Sequence, residues 1–332
     1  MSAAEVLISA EDVVKHFPVR GHRTETVRAV EGVSVEIRRG ETLGIVGETG
    51  CGKSTLARCL TRLYDLTSGR VVFAGDDISV LSRRALRPYR RRMQMIFQDP
   101  YSSLNPRRRV GSIIGDPFTI HRLAGGDERK RRVQELMELV GLNPEHYNRF
   151  PAEFSGGQRQ RIGIARALAL RPDLIVCDEP VSALDVSIQA QILNLLSDLQ
   201  GELELTYVFI AHDLSVVRHV SDRIAVMYLG KVVEVADTQE LFARPRHPYT
   251  RALLSAMAEP DPDAADSRRR VLLTGDVPSP IDPPSGCSFH PRCPKAGPRC
   301  PADVPELVPQ FEDSAAHRAA CHYPLADGEV MG

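Results

Sequence analysis

The stretch ETLGIVGETGCGKSTLARCL, Glu41 to Leu60, constrains the fold more than any other in the chain. Thr42 to Val46 is a short strand-like run, and the residues from Lys53 onward have helical spacing, so the stretch reads as strand, glycine-rich turn and helix. Gly47, Gly50 and Gly52 permit a backbone whose N–H groups point inward at phosphate oxygens, and the new helix adds its positive end. Gly47-x4-Gly52-Lys53-Ser54 is a complete phosphate-loop pattern, with Glu48, Thr49, Gly50 and Cys51 at its variable positions and Thr55 following. In such a loop the lysine reaches the β- and γ-phosphates and the serine ligates Mg²⁺. Lysines are otherwise few, and arginine supplies most of the positive charge, which sets Lys53 apart.

A second element fits the first. Leu174 to Pro180, LIVCDEP, is an apolar run ending in two carboxylates, the pattern of a buried parallel strand that delivers acids at its carboxyl end. Asp178 is expected to hold Mg²⁺ through water, and Glu179 to polarise an attacking water. An acid pair after a strand is common in α/β proteins, but downstream of a phosphate loop it gains weight.

The bulk properties narrow the classes. At 332 residues and 42% hydrophobic content the chain can bury one large or two modest cores. No run of roughly 18 uninterrupted apolar residues is present, so no spanning helix is expected. Glu5, Glu11 and Asp12 stand where a secretory signal would carry basic and then apolar residues. A net charge of −1 argues against a nucleic-acid partner, and the clusters at Arg90–Arg92, Arg107–Arg109, Arg129–Arg132 and Arg268–Arg270 read as solvated surface.

In EFSGGQRQRIGIARALALRPDLIVCDEPVSALD, Ser155 and Gln158 form a capping box, and Gly156 and Gly157 let the backbone approach an anion at the helix start. Followed by the acidic strand and by Ser182-Ala183-Leu184-Asp185, this signature stretch resembles the ATP-binding cassette (ABC) family. One nucleotide hardly needs two phosphate-binding helix ends from one subunit. The resemblance implies head-to-tail dimers with two ATP molecules sandwiched between phosphate loop and signature. It further implies that Phe17 stacks on adenine, that Gln98 touches Mg²⁺ and the attacking water, that His212 contacts the γ-phosphate and Glu179, and that Asp185 crosses to the partner. Lys53, Mg²⁺, the loop amides and the partner subunit's Ser155 and Gly157 would stabilise the transferring phosphoryl group. Phe154 departs from the leucine of the commonest signature but is also bulky and apolar.

One cassette without a spanning segment suits an importer built from separate subunits. QMIFQDPYSSLNPRRRVGSII and RPRHPYTRALLSAM resemble the ATPase subunits of oligopeptide and dipeptide importers, a group that also powers nickel uptake. That resemblance implies two transmembrane permeases, a second ATPase subunit that is more often a paralogue than an identical chain, an extracytoplasmic solute-binding protein acting indirectly, and a peripheral position on the cytoplasmic face of the inner membrane. Two other readings stay open. A soluble cassette serving DNA repair, translation or cofactor assembly is disfavoured by the absence of a second cassette, of a coiled-coil insertion and of net basic charge. An accessory ATPase of a multi-enzyme complex, of the carbon-phosphorus lyase type, would look similar in the cassette but not in the tail.

The resemblance implies a RecA-like parallel-sheet core, an antiparallel β subdomain including Gly69 to Gly75, and a helical subdomain at about 99–170. The ATPase domain is expected over 5–244 and a C-terminal extension over 245–332. RIAVMYLGKVVEVA reads as a hairpin turning at Gly230, His247 to Arg251 as a helix start that docks the extension, and Ala258 to Arg270 as a linker.

The extension carries Cys287, Cys293, Cys300 and Cys321, whereas Cys51, Cys59 and Cys177 read as small buried hydrophobes. Proline and glycine are dense here and large aliphatics sparse, so a metal staple would stabilise the segment. The spacing lacks the tight knuckles of structural zinc. Cys293-Pro294 and Cys300-Pro301 echo ferredoxin-type ligands, and the peptide-importer resemblance implies a 4Fe-4S cluster in some members, with zinc as the alternative. His290, His317 and His322 are candidate substitutes for a missing thiolate.

Overall fold

The computed structural model describes residues 5–19, 21, 25–99, 103–257 and 273–329. The expected linker at Ala258 to Arg270, with its arginine cluster, lies outside the described residues, as does part of the QDPYSS stretch. The chain divides into two compact units that do not follow chain order. A signature unit comprises Arg38–Gly40 and Leu81–Phe209 with Glu5, and a phosphate-loop unit comprises Val6–Ile37, Glu41–Val80 and Ile210–Gly332.

The phosphate-loop unit opens with β1 (Val6–Pro18), β2 (Thr26–Arg38), β3 (Thr42–Val46), α1 (Lys53–Leu60), β4 (Ser68–Phe73) and β5 (Asp76–Asp77). The signature unit follows with α2 (Arg87–Arg92), β6 (Met93–Ile96), α3 (Val110–Ile120), α4 (Gly126–Leu139), α5 (Gly156–Leu168), β7 (Leu174–Asp178), α6 (Val186–Leu203) and β8 (Thr206–Ile210). The chain then returns to the first unit for α7 (Leu214–Val220), β9 (Arg223–Tyr228), β10 (Lys231–Asp237), α8 (Thr238–Ala243), α9 (Pro248–Ser255), β11 (Val308–Pro309) and β12 (Arg318–Ala319).

Two kinds of strand pattern give two kinds of sheet. β3 and β9 are buried at every position and run parallel, with Leu43 opposite Arg223 and Val46 opposite Val226. β7 is likewise buried throughout and parallel to β6 in the signature unit. Continuous burial is what covered parallel strands require. β1 and β2 mix buried and exposed positions, and they lie in a sheet of order β2-β1-β4-β5 in which β4 runs antiparallel to both β1 and β5. In the β9–β10 hairpin Tyr228 pairs with Lys231, leaving Leu229 and Gly230 as a two-residue turn. Both have positive φ, the conformation that lets such a turn follow the strand twist.

The extension is anchored by a buried polar hub. Glu234 on β10 is fully buried and accepts hydrogen bonds from Arg246 N (2.7 Å), His247 N (2.9 Å) and His317 Nε2 (2.8 Å). The Arg246 guanidinium donates to both Asp313 carboxylate oxygens at 2.6 Å, to Asp327 Oδ1 at 2.7 Å and to Leu325 O at 3.0 Å. β12 then adds to β10 in antiparallel register. His247 caps α9 as the RHPYTR pattern suggests: its Nδ1 accepts from Tyr249 N at 3.0 Å. Burial lowers the His247 pKa to about 4, and the neutral ring that results can accept. Tyr228, Tyr249 and Phe289 form a buried aromatic cluster with ring centroids 4.8–5.3 Å apart. Each such ring contributes roughly 1.5–3 kcal/mol of burial, which fixes the first turn of the cysteine region against β9 and α9.

Candidate functional site

In the phosphate-loop unit, β3 feeds the turn and α1 begins at Lys53. Two glycines are demanded by close approach. A Cβ at Gly47, with φ 153°, would lie 2.2 Å from Met227 O, and one at Gly52, with φ 106°, would lie 2.0 Å from Ala29 O. The α1 N-terminus has no side-chain cap, so its first N–H groups face the loop without an acceptor from the cap residue, the arrangement that accommodates an anion. Lys53 is only 5% exposed, and its Nζ donates to Gly47 O at 2.8 Å and Glu48 O at 3.0 Å. Its ammonium is therefore aimed along the loop interior. Thr49 and Gly50 are exposed at the loop tip, whereas Ser54 and Thr55 are half-buried on the first turn of α1.

Two further candidates belong to the same unit. Ala211 N donates to Ile45 O at 3.2 Å, which ties the segment carrying His212 to the strand that enters the loop. His212 is exposed, and Asp213 caps α7 by accepting from Ser215 N. Phe17, half-buried at the end of β1, meets Tyr64 edge to face at 5.4 Å, with Lys15 Nζ 4.9 Å from its ring. A half-open aromatic pair of this kind can stack a base.

In the signature unit, β7 delivers Asp178, 1% exposed, and Glu179 follows in the left-handed region at φ 48°. A non-glycine residue there costs about 1–2 kcal/mol, and Ser182 helps hold the turn by donating from N and Oγ to Glu179 O. The Glu179 carboxylate accepts from Gln98 Nε2 at 2.7 Å, so two residues far apart in sequence meet as a carboxylate–amide pair. Such a pair can orient a water and accept a proton. Ser155 and Gln158 form the capping box, with Gln158 N donating to Ser155 Oγ at 3.3 Å and Ser155 N donating to Gln158 Oε1 at 3.0 Å. Gly156 opens α5. Gly157 has a packing reason that spacing does not reveal: a Cβ there would lie 2.5 Å from Ile188 Cγ2 on α6. Asp185 is exposed at the α6 N-terminus and makes no side-chain cap. Phe154 is buried and packs against His146.

Cys51, Cys59 and Cys177 are buried, as expected of small hydrophobes. The four tail cysteines lie in one region, with Cys287 and Cys300 buried and Cys293 and Cys321 half-buried. Cys287 N donates to Cys300 O at 2.7 Å, and Gly297 N lies 3.5 Å from Cys300 Sγ. Burial pushes the Cys293 thiol up to about 11 and Cys321 up to about 12, and raises Cys287 as well. These side chains are thus thiols rather than thiolates. Among the described residues no three His, Cys, Asp or Glu side chains stand at ligating distance of one point. The region gathers the cysteines without presenting a closed ligand set. The substitute histidines are turned elsewhere: His290 Nδ1 pairs with Cys287 O, His322 Nε2 with Asp303 O, and His317 Nε2 with Glu234.

Sequence reasoning missed two residues at the loop. Tyr249 Oη accepts from Glu48 N at 2.9 Å, and Arg292 grips the Glu48 carboxylate through Nη1 at 2.8 Å and Nη2 at 3.1 Å. Nothing in their local spacing points to the loop, since both contacts cross some two hundred residues of chain.

Comparison with known proteins agrees with this assembly. Residues 30–182 match the family described as ABC transporter, and residues 233–300 match the oligopeptide/dipeptide transporter C-terminal region. The chain is 53% identical over 330 residues to the oligopeptide transport ATP-binding protein AppF of Bacillus subtilis, covering 97% of this chain and 99% of that one. It is 55% identical over 323 residues to a probable peptide ABC transporter ATP-binding protein of Sinorhizobium fredii, covering 96% and 90%. Among solved structures, the cassette MJ0796 in a dimeric post-hydrolysis state bound to ADP and Pi superposes with TM-score 0.64 at 29% identity, covering 70% of this chain and 99% of that one. CbiO1 from Clostridium perfringens, part of the transporter complex cbiONQ, gives 0.63 at 28% identity, covering 72% and 91%. No described helix is long and apolar enough to cross a membrane. With a complete phosphate loop, an acidic strand end, a capped signature helix and this extension in one chain, the protein belongs to the ATP-binding cassette family, as an ATPase of the group bearing the oligopeptide/dipeptide transporter C-terminal region.

Proposed function

We propose that the chain is the ATP-hydrolysing subunit of a membrane importer for dipeptides or oligopeptides. The observation that carries this reading is the near full-length similarity to peptide-transport ATP-binding proteins, which includes the C-terminal region as well as the cassette. The ATPase domain is proposed over 5–244 and the extension over 245–332. Two such cassettes, of which the second is a paralogue, would close on ATP and drive two permeases served by a solute-binding protein, with the chain peripheral on the cytoplasmic face.

Each site residue then takes a role. In the phosphate-loop unit, the loop from Gly47 to Ser54 cradles the phosphates through the Lys53 ammonium and its amides other than that of Glu48, which Tyr249 already holds, while Ser54 holds Mg²⁺, Thr55 completes the helix start, Phe17 stacks on the base and His212 contacts the γ-phosphate. In the signature unit, Asp178 and Gln98 serve Mg²⁺, Glu179 orients and deprotonates water, and Ser155, Gly156, Gly157, Gln158 and Asp185 serve the partner cassette's nucleotide. The chemistry asks mainly for positioning and charge stabilisation, which a buried lysine and a held carboxylate supply. Affinity purification from membranes is expected to recover two polytopic proteins; recovery of soluble enzymes alone would overturn the importer reading.

We further propose that Cys287, Cys293, Cys300 and Cys321 hold an iron–sulfur cluster. Their gathering in one region, with Cys287 N donating to Cys300 O at 2.7 Å, supports a shared site, and ligand binding would have to displace protons from thiols that burial raises. Protein purified without oxygen is expected to contain iron and acid-labile sulfide in equal amounts. Stoichiometric zinc without sulfide would sink the cluster.

A further inference from the structure

We infer that the C-terminal extension is a positioning clamp for the phosphate loop, in which Arg292 neutralises Glu48 and, with Tyr249, holds it aside so that the loop is set for the triphosphate before it binds. The inference rests on the ATPase activity and does not depend on which solute is transported.

Glu48 is the residue after the first loop glycine, and a free carboxylate there would repel incoming phosphates. Every polar group of Glu48 is engaged. Its N–H donates to Tyr249 Oη, its carboxylate receives two parallel bonds from Arg292, and its carbonyl accepts from Lys53 Nζ and from Cys51 N at 3.2 Å. The first two partners come from the extension and the last two from the loop. The same residue therefore connects the extension to the lysine that meets the nucleotide.

The clamp is itself rigid. Arg292 closes the short helical turn His290–Arg292, which sits between Cys287 and Cys293. Its side chain is 8% exposed, and Nη1 lies 3.5 Å from Tyr228 Oη. Phe289, just before that turn, is locked into the aromatic cluster with Tyr228 and Tyr249. Tyr249 is buried on the first turn of α9, directly after the helix cap. Both groups that hold Glu48 are thus fixed by packing, and a forked arginine–carboxylate pair adds direction to charge. Preorganisation of this kind lowers the cost of binding without touching the chemical step.

The test uses the full chain with ATP. Arg292→Gln is expected to raise KM for ATP, and the Kd of a fluorescent ATP analogue, about tenfold with kcat changed less than about twofold, because an unpaired carboxylate opposes binding but not turnover. Glu48→Gln combined with Arg292→Gln should recover to within about threefold of the parent, since the offending charge is gone. Arg292→Lys, which keeps the charge but loses the fork, should fall between the parent and Arg292→Gln, about threefold above the parent. Thermal melts compare folding across the set, and Arg292→Lys with the double variant carries the test where Arg292→Gln alone is unstable. An unchanged KM in Arg292→Gln, a loss confined to kcat, or a double variant no better than Arg292→Gln would each overturn the clamp.

Discussion

Replacing Glu179 with Gln is expected to lower ATP turnover by about 10²–10⁴-fold while ATP binding stays within about twofold. The substitution keeps volume and shape. An amide can still meet Gln98 at the observed 2.7 Å, and the left-handed backbone at φ 48° makes no demand on the side chain's charge. What disappears is the carboxylate that would draw a proton from the attacking water. With hydrolysis blocked and the phosphate loop intact, ATP should accumulate in a closed pair of cassettes, visible as a nucleotide-dependent dimer by size-exclusion chromatography. Unchanged hydrolysis would remove Glu179 from its proposed role and shift attention to Asp178 or His212. Gln98→Ala offers a contrast, because it leaves the carboxylate in place while removing one amide that holds it and the proposed Mg²⁺ contact, and a smaller loss is expected from it.

The parts of the site that short patterns encode are legible in the amino-acid sequence. A phosphate loop, a buried strand ending in acids and a capping box are local devices, in which hydrogen bonding and backbone geometry force particular residues into adjacent positions. Gly47 and Gly52 are glycines because backbone carbonyls leave no room for a Cβ, and that requirement is written in the loop itself. Gly157 is legible only in part: its spacing suggests close approach to an anion, while its contact with Ile188 is a packing demand from another helix. Arg292 and Tyr249 are not legible at all. Glu48 looks like an unconstrained loop position, and its partners lie 244 and 201 residues further along the chain. Long-range pairs of this kind leave no periodicity, because each side chain answers to a partner brought by topology. The four cysteines fall between these cases. Their clustering in sequence points to a shared region, but spacing alone does not say whether the thiols close on one ligand point.

The largest effect on stability is expected at Arg246. Its guanidinium and the Asp313 carboxylate are 4% and 3% exposed, and it also binds Asp327 and the Leu325 carbonyl, so one side chain ties three points of the tail to the start of α9. Arg246→Met keeps length and apolar volume but leaves Asp313 buried without its counter-charge, an arrangement that costs about 3–5 kcal/mol. The loss should be local at first, because the tail keeps its other contacts to β10, namely the β12 pairing and the His317–Glu234 hydrogen bond. Limited proteolysis is expected to cut the region around 303–327 in the variant and spare it in the parent, and equal protection would refute the staple. Acid should act on the same elements. Arg246 holds the Asp313 carboxyl below its ordinary range, so its stabilisation is complete above that range and fades as pH falls through the lowered value. His247, lowered to about 4 from the ordinary 6.5, adds a second slope: its stabilisation is present above about 6.5 and is lost as pH falls toward 4. The extension should therefore loosen in two stages on acidification, the first from the α9 cap and the second from the Arg246 staple. In Arg246→Met only the first stage should remain, which separates the two groups by a single titration followed with proteolysis.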